Sequence, residues 1–142
     1  MEKVNLSIKL KNRLGELDKI KAAVSEIFAT TNCTQRNSKE INLILEEIFT
    51  NVVNHGFDDD KEHDINLSLS YDEYILLIRI EDDGKPFDFT ATQTPDTKCS
   101  IENRFIGGLW IHFIKHFIDD CKYYRNKGKN IVVLKKNMTN DK

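Results

Sequence analysis

Ile41, Ile44, Leu45, Ile48 and Val52 recur at the i, i+3, i+4, i+7 spacing of a helix with one face in a core. Such a stripe has to be covered, so the rest of the chain must supply an apolar layer to receive it. The same helix carries a second row. Glu47, Asn51 and His55 follow at i, i+4, i+8 and stand in file along an edge that abuts the stripe. Phe49 and Val53 carry apolar character round the other side. On spacing alone such a row is more often a solvated helix edge than a site. On a helix with so little free surface, a carboxylate, an amide and an imidazole in line suggest a cavity lining. Gly56 is expected to end the helix as its left-handed residue.

The receiving layer is legible as period-two alternation. Val4, Leu6, Ile8 and Leu10 alternate with polar residues as a half-buried strand. Leu17, Ile20, Val24, Ile27 and Phe28 then mark one face of a helix from about Gly15 to Thr31. A polar connection over Thr30 to Asn37 precedes the central helix, with Thr34 or Ser38 as its cap. Phe57 to Glu62 reads as an acidic loop, and Ile65, Leu67 and Leu69 as a second strand. After a turn at Asp72-Glu73, Tyr74 to Ile80 forms a third strand. Its unbroken Ile75 to Ile78 run suggests burial on both faces. Asp82 to Ile106 is long and irregular and holds both prolines, Pro86 and Pro95. Loops of that length in a compact domain are usually lids or binding segments.

Gly107-Gly108 opens a helix with Ile111, Ile114, Lys115 and Ile118 in register. Cys121 to Arg125 and Asn130 to Lys135 read as strands joined by a turn at Asn126-Lys127-Gly128, with a frayed tail after Met138. Strands grouped in pairs, rather than alternating with helices, imply an α+β two-layer sandwich, mostly antiparallel, with the helices on one face.

At 142 residues and 39% hydrophobic, the chain suits a single domain over 1–142. A formal net charge of −2 offers no field for nucleic acid or an anionic membrane. Cys33, Cys99 and Cys121 lack metal-ligand pairing, and neither a signal peptide nor a membrane-length apolar run is visible. Free thiols in a cytoplasmic setting are therefore expected. The acidic stretch Asp58-Asp59-Asp60, with Glu62 and His63, lacks calcium-loop spacing and reads as a solvated loop.

Chemistry is concentrated in two further stretches. Asp82, in Glu81-Asp82-Asp83-Gly84-Lys85-Pro86-Phe87-Asp88, ends the third strand. Asp-Gly there is an ordinary turn, yet an acceptor-only carboxylate in a pocket between sheet and helices would suit an exocyclic amino donor, as on adenine. Gly84 would let the backbone approach a flat base closely. In Phe105-Ile106-Gly107-Gly108-Leu109-Trp110, two glycines entering a helix expose N–H groups at the positive end of its dipole, a setting for phosphates or plain punctuation. No G-x-x-x-x-G-K-[ST] loop occurs, which excludes a Walker-type site.

Taken in order, Glu-x-x-x-Asn on a helix, Asp-x-Gly-x-Pro-Phe-Asp after a strand and Gly-Gly-Leu opening the next helix resemble the histidine-kinase-like (GHKL, Bergerat) ATPase fold. The Pro-Phe-Asp variant, the short length and the terminal Gly-x-Asn-x-x-x-Leu strand over Gly128, Asn130 and Leu134 are similar to the anti-sigma factor serine/threonine kinases within it. The resemblance implies ATP and Mg²⁺ as cofactors. It implies Glu47 as general base, Asn51 as magnesium ligand, Asp82 as adenine-reading carboxylate and Gly84 beneath the base. Gly107, Gly108 and Leu109 fall on the phosphate side, the lid spans about 83–106, and Arg104 at its end could meet phosphate charge. His55, often histidine in that family, fits a capping role better than a catalytic one.

Two residues depart from the family pattern. Trp110 stands where a third glycine is usual, and Val133 where a threonine commonly supports the aspartate. The implied function is phosphorylation of a STAS-type anti-sigma antagonist by a protein that also binds a sigma factor, with a homodimer expected. The alternative is a partner-switching module of the same fold that binds nucleotide weakly or has lost kinase activity. A bare ATPase or detached sensor-kinase domain is a third reading, disfavoured because the chain has no phosphoacceptor-histidine helix region.

Overall fold

The computed structural model describes residues 3–29, 35–85 and 117–138. Strand β1 (Val4–Lys11) leads through a 3-10 turn (Leu14–Glu16) into α1 (Leu17–Ala29) and then α2 (Gln35–His55). β2 (Asp64–Asp72), β3 (Ile75–Asp82), β4 (Asp120–Asn126) and β5 (Lys129–Asn137) follow. The five strands form one sheet in the order β1-β2-β3-β5-β4, every neighbouring pair antiparallel. Both helices contribute to the core with one face of the sheet, as the grouped strand pairs imply. Ile20, Val24 and Ile27 of α1 and the full Ile41–Val52 stripe of α2 are buried with Leu10, Ile65, Leu69, Leu76, Ile78 and Leu134.

The turns are local chemistry. Glu73 and Tyr74 (φ 49° and 69°) join β2 to β3, one residue later than the expected Asp72-Glu73. Lys127 and Gly128 (φ 52° and 78°) join β4 to β5. Paired left-handed residues twist a two-residue hairpin in the sense its strands require.

Several expectations are corrected. β3 is central in the hydrogen-bond ladder but covered on one face only: Leu76 and Ile78 are 0% exposed while Leu77 between them is 41% exposed. An apolar run reports what a strand can bury, not how many layers reach it. α2 already begins at Gln35, which places Ser38 inside its first turn rather than at a cap. Gly56 is not left-handed; its N–H bonds the Val52 carbonyl at 2.8 Å and so prolongs the helical ladder. Buried Cys121 is disulfide-bonded, against the expectation of free thiols. No helix among the described residues is long and apolar enough to cross a membrane.

Candidate functional site

Ile78, Ile80 and Asp82 share the core side of β3, so the alternation that buries two isoleucines also turns a carboxylate inward at the strand's end. Asp82 is 2% exposed. A carboxylate so placed needs donors in exchange for the water it has lost. The Gly84 N–H donates to its Oδ1 at 2.8 Å and the Asn130 Nδ2 to the same oxygen at 3.0 Å. Asp82 and Asn130 are directly opposed in the β3–β5 register.

Asn130 is itself fully buried and ties the neighbourhood together. Its Nδ2 also lies 2.9 Å from the Lys85 carbonyl and 3.3 Å from that of Gly84. Its Oδ1 accepts from the Tyr123 hydroxyl and, at 2.8 Å, from Arg125 Nη1. Arg125 Nη1 further reaches the Gly84 carbonyl at 3.2 Å, and Nη2 that of Gly128 at 3.3 Å. The Lys127-Gly128 turn makes this possible, because it sets Arg125 opposite Asn130.

The supporting position is therefore not Val133. That residue pairs with Arg79, three residues from Asp82 and on the other face of the sheet. Tyr123 and Arg125 stand in no motif of the sequence, and Asn130 stands there only as a member of the terminal Gly-x-Asn-x-x-x-Leu strand, with no role attached. One signal was present: Asn130 shares its inward alternation with Val132 and Leu134, which marks a polar residue pointing at the core.

Gly84 is required where it stands. A Cβ there would lie 2.4 Å from the Gly56 carbonyl oxygen and 2.9 Å from Asp82 Oδ1. The Lys85 N–H donates to the same Gly56 carbonyl at 2.7 Å. The turn after β3 is thus seated, backbone on backbone, against the C-terminal end of α2. Asn51 lies five residues before that end and Glu47 nine, about 7.5 and 13 Å back along the axis. Both are half-buried on the edge of the apolar stripe, and His55 is exposed in the last turn. Asn51 Nδ2 donates to the Glu47 carbonyl at 2.8 Å. That bond uses the amide nitrogen; the amide oxygen is the atom a hard cation takes. Among the described residues no three His, Cys, Asp or Glu side chains are grouped to hold a metal.

Beside Gly84 lies a second cluster. His63 Nε2 is 2.7 Å from Asp59 Oδ1, and Nδ1 is 3.1 Å from Asp83 Oδ1. The imidazole stacks on Phe57 at 4.3 Å between centroids. The hydrogen bond to Asp59, aided by the charge of Asp83 and opposed by burial, raises the His63 pKa, while the same bond lowers that of Asp59. The acidic loop is thereby fastened to the turn after β3, although Asp58, Asp59 and Asp60 remain exposed as expected. A shallow hollow of about 260 Å³ lies over this junction, lined by Gly56, Phe57, His63, Asp83, Gly84 and Lys85 among others.

Arg104, Gly107, Gly108, Leu109 and Trp110, with nearly all of the expected 83–106 lid, lie outside the described residues.

Comparison with known proteins bears on the family and the fold. The family model for the histidine kinase-like ATPase domain matches residues 10–136. Serine-protein kinase RsbW of Listeria monocytogenes is 25% identical over 138 residues, covering 94% of this chain and 87% of that protein. Serine/threonine-protein kinase BtrW of Bordetella bronchiseptica is 27% identical over 94 residues, 66% of each chain. In fold, the chain is similar to the crystal structure of the RsbU and RsbW domains of Rv1364c from Mycobacterium tuberculosis. That match has a TM-score of 0.67 at 13% identity and covers 95% of this chain and 32% of the other.

Proposed function

Since the chain belongs to the histidine kinase-like ATPase family, we propose that it binds Mg²⁺-ATP beside the turn after β3 and transfers the terminal phosphate to a protein serine or threonine. The observation that carries this reading is the buried Asp82, held by the Gly84 and Asn130 donors against the end of the helix that bears Asn51 and Glu47. Its serine-protein kinase relatives support the reaction type.

Asp82 accepts the exocyclic amine of adenine, and Gly84 keeps the backbone beneath the ring low. Asn51 would hold Mg²⁺ through its amide oxygen, and the metal would supply neutralisation of phosphate charge. Glu47, one helical turn away, takes the proton from the attacking hydroxyl. Arg104, Gly107, Gly108 and Leu109 serve the phosphate side, with the segment of about 83–106 as the lid. The substrate is a STAS-type antagonist, and the same protein, as a homodimer in the cytoplasm, holds a sigma factor. A single domain over 1–142 suffices for these roles.

Asn130 gives Asp82 a side-chain donor where Val133, in place of a threonine, has none, which favours nucleotide binding over a weak-binding or kinase-inactive module. Mg²⁺-ATP titration and phosphotransfer to a candidate antagonist test the proposal. Asp82→Asn is expected to abolish saturable ATP binding. Glu47→Ala is expected to retain binding and lose transfer. Undiminished transfer by Glu47→Ala removes that residue from the chemistry; absence of ATP binding by the unmodified chain removes the kinase reading.

A further inference from the structure

β1 ends the sheet order, and among the described residues no strand lies beyond it. In an antiparallel ladder successive residues turn their N–H and C=O alternately to the two sides of the strand. The Asn12 N–H bonds the His63 carbonyl at 3.1 Å, on the β2 side, while the Lys11 N–H turns the other way and donates to Glu16 Oε1 at 2.8 Å. Counting back from Asn12, the even-numbered residues of β1 belong to the ladder with β2. Asn5, Ser7 and Lys9 therefore direct their backbone groups outward, and among the described residues no backbone hydrogen bond beyond the sheet ladder involves them. Buried Glu16 closes the edge at Lys11. β1 has no proline and pairs with β2 without a bulge from Val4 to Lys11, so apart from its lysines it lacks the devices that blunt an edge. The core-facing row is likewise incomplete. Ile65, Leu67 and Leu69 of β2 are at most 3% exposed, but Val4, Leu6 and Ile8 of β1 are only half-buried. Against Leu6 and Ile8 lies a groove of about 390 Å³, lined also by Ala22 and Ala23 of α1.

We propose that this edge takes a second copy of the chain, β1 against β1 antiparallel about a twofold axis at Ser7, so that two sheets become one. This rests on the homodimer reading above and names the surface that forms it. A second copy is the occupant because the edge is complementary to itself. Pairing about Ser7 sets Asn5 against the partner's Lys9, and every free backbone group of Asn5, Ser7 and Lys9 meets its counterpart. Leu6 comes beside the partner's Ile8 on the core side, where both extend over the groove at α1. Lys3 meets the partner's Lys11, whose ammonium Asp64 and Glu62 already neutralise at 2.7 and 3.1 Å. Neighbouring registers fit worse. With the axis at Ile8, Asn5 would need the Lys11 N–H that Glu16 holds; with the axis at Leu6, exposed Lys9 would face exposed Lys3.

Sedimentation equilibrium of the full chain measures the dimer dissociation constant. Ser7→Pro removes the N–H at the axis from both copies but spares the β1–β2 ladder, because that N–H faces outward, where an edge strand tolerates proline. It is expected to weaken the dimer roughly tenfold or more while the circular dichroism spectrum is kept. Asn5→Lys sets like charges opposite Lys9 at both symmetric pairs, and Asn5→Asp sets opposite ones. The dissociation constant is expected to rise roughly twofold to tenfold in the first and to fall in the second. That contrast decides the matter should Ser7→Pro not fold. Amide hydrogen exchange gives a readout confined to the edge: Ser7 and Lys9 exchange more slowly as protein concentration rises, whereas Lys11, already bonded to Glu16, is unaffected. A dimer whose dissociation constant is unmoved in folded Ser7→Pro and in both Asn5 variants overturns the inference alone. A chain that stays monomeric at every soluble concentration overturns the homodimer reading and the inference with it.

Discussion

Replacing Gly84 by alanine tests the contact that seats the turn after β3 on the end of α2. The new Cβ would lie 2.4 Å from the Gly56 carbonyl oxygen, whereas ordinary contact begins at 3.4 Å. The obstructing atom belongs to backbone and cannot rotate aside, so the two segments must part by about 1 Å. That movement would stretch the Lys85 N–H to Gly56 hydrogen bond, now 2.7 Å, beyond useful length. Losing it costs about 1 kcal/mol, and the overpacking adds about 1–3 kcal/mol. The expected destabilisation is about 2–4 kcal/mol, a fall of roughly 1 M or more in the urea midpoint with an unchanged slope. Equilibrium urea denaturation followed by circular dichroism measures it. A loss smaller than about 0.5 kcal/mol, the range of ordinary surface substitutions, would refute the close approach.

The His63 clamp should show in the pH dependence of stability. Its raised pKa means a contribution fully present below about pH 6.5 and lost as pH rises through the higher folded value, while the lowered Asp59 pKa removes its share as pH falls through the acid range. The urea midpoint gap between the unmodified chain and His63→Gln should therefore be wider at pH 6 than at pH 9; an equal gap excludes a charged clamp. Leu76→Ala should cost about 2–5 kcal/mol and Leu77→Ala under about 1 kcal/mol, since only the first is buried, and comparable losses would mean both faces are covered. Gly128→Ala, with nothing within 4 Å but φ at +78°, should cost about 1–2 kcal/mol from backbone strain alone, read from the shift in thermal midpoint.

Local signals carried the elements and misled where burial depended on neighbours. The 3.6-residue stripe from Ile41 to Val52 and the alternation in β1 and β2 translated directly into buried faces. The Ile75–Ile78 run did not, because its two-sided apolarity is a property of the strand while coverage belongs to the layer above it. Gly56 shows the same division. A glycine after a helix commonly signals a left-handed cap, but this one extends the helical ladder and brings its carbonyl against Gly84.

The candidate site divides along that line too. Glu47, Asn51, Asp82 and Gly84 were readable because each sits in a short motif whose spacing has a local meaning. Asn130 belongs to a strand motif too, but its contact with Asp82 was not readable, since that partner lies 48 residues away and the pairing exists only once β5 has docked on β3 in one register. His63 was passed over as part of a solvated loop because nothing sequential reveals that Asp83, 20 residues on, returns beside it. Sequence by itself determined which residues form strands and helices and which of them stand in candidate motifs, because those depend on periodicity and near neighbours. Tertiary structure alone decided which face is covered, which backbone carbonyl Gly84 must clear and which amide orients Asp82, because a contact between distant residues is set by register and layer packing.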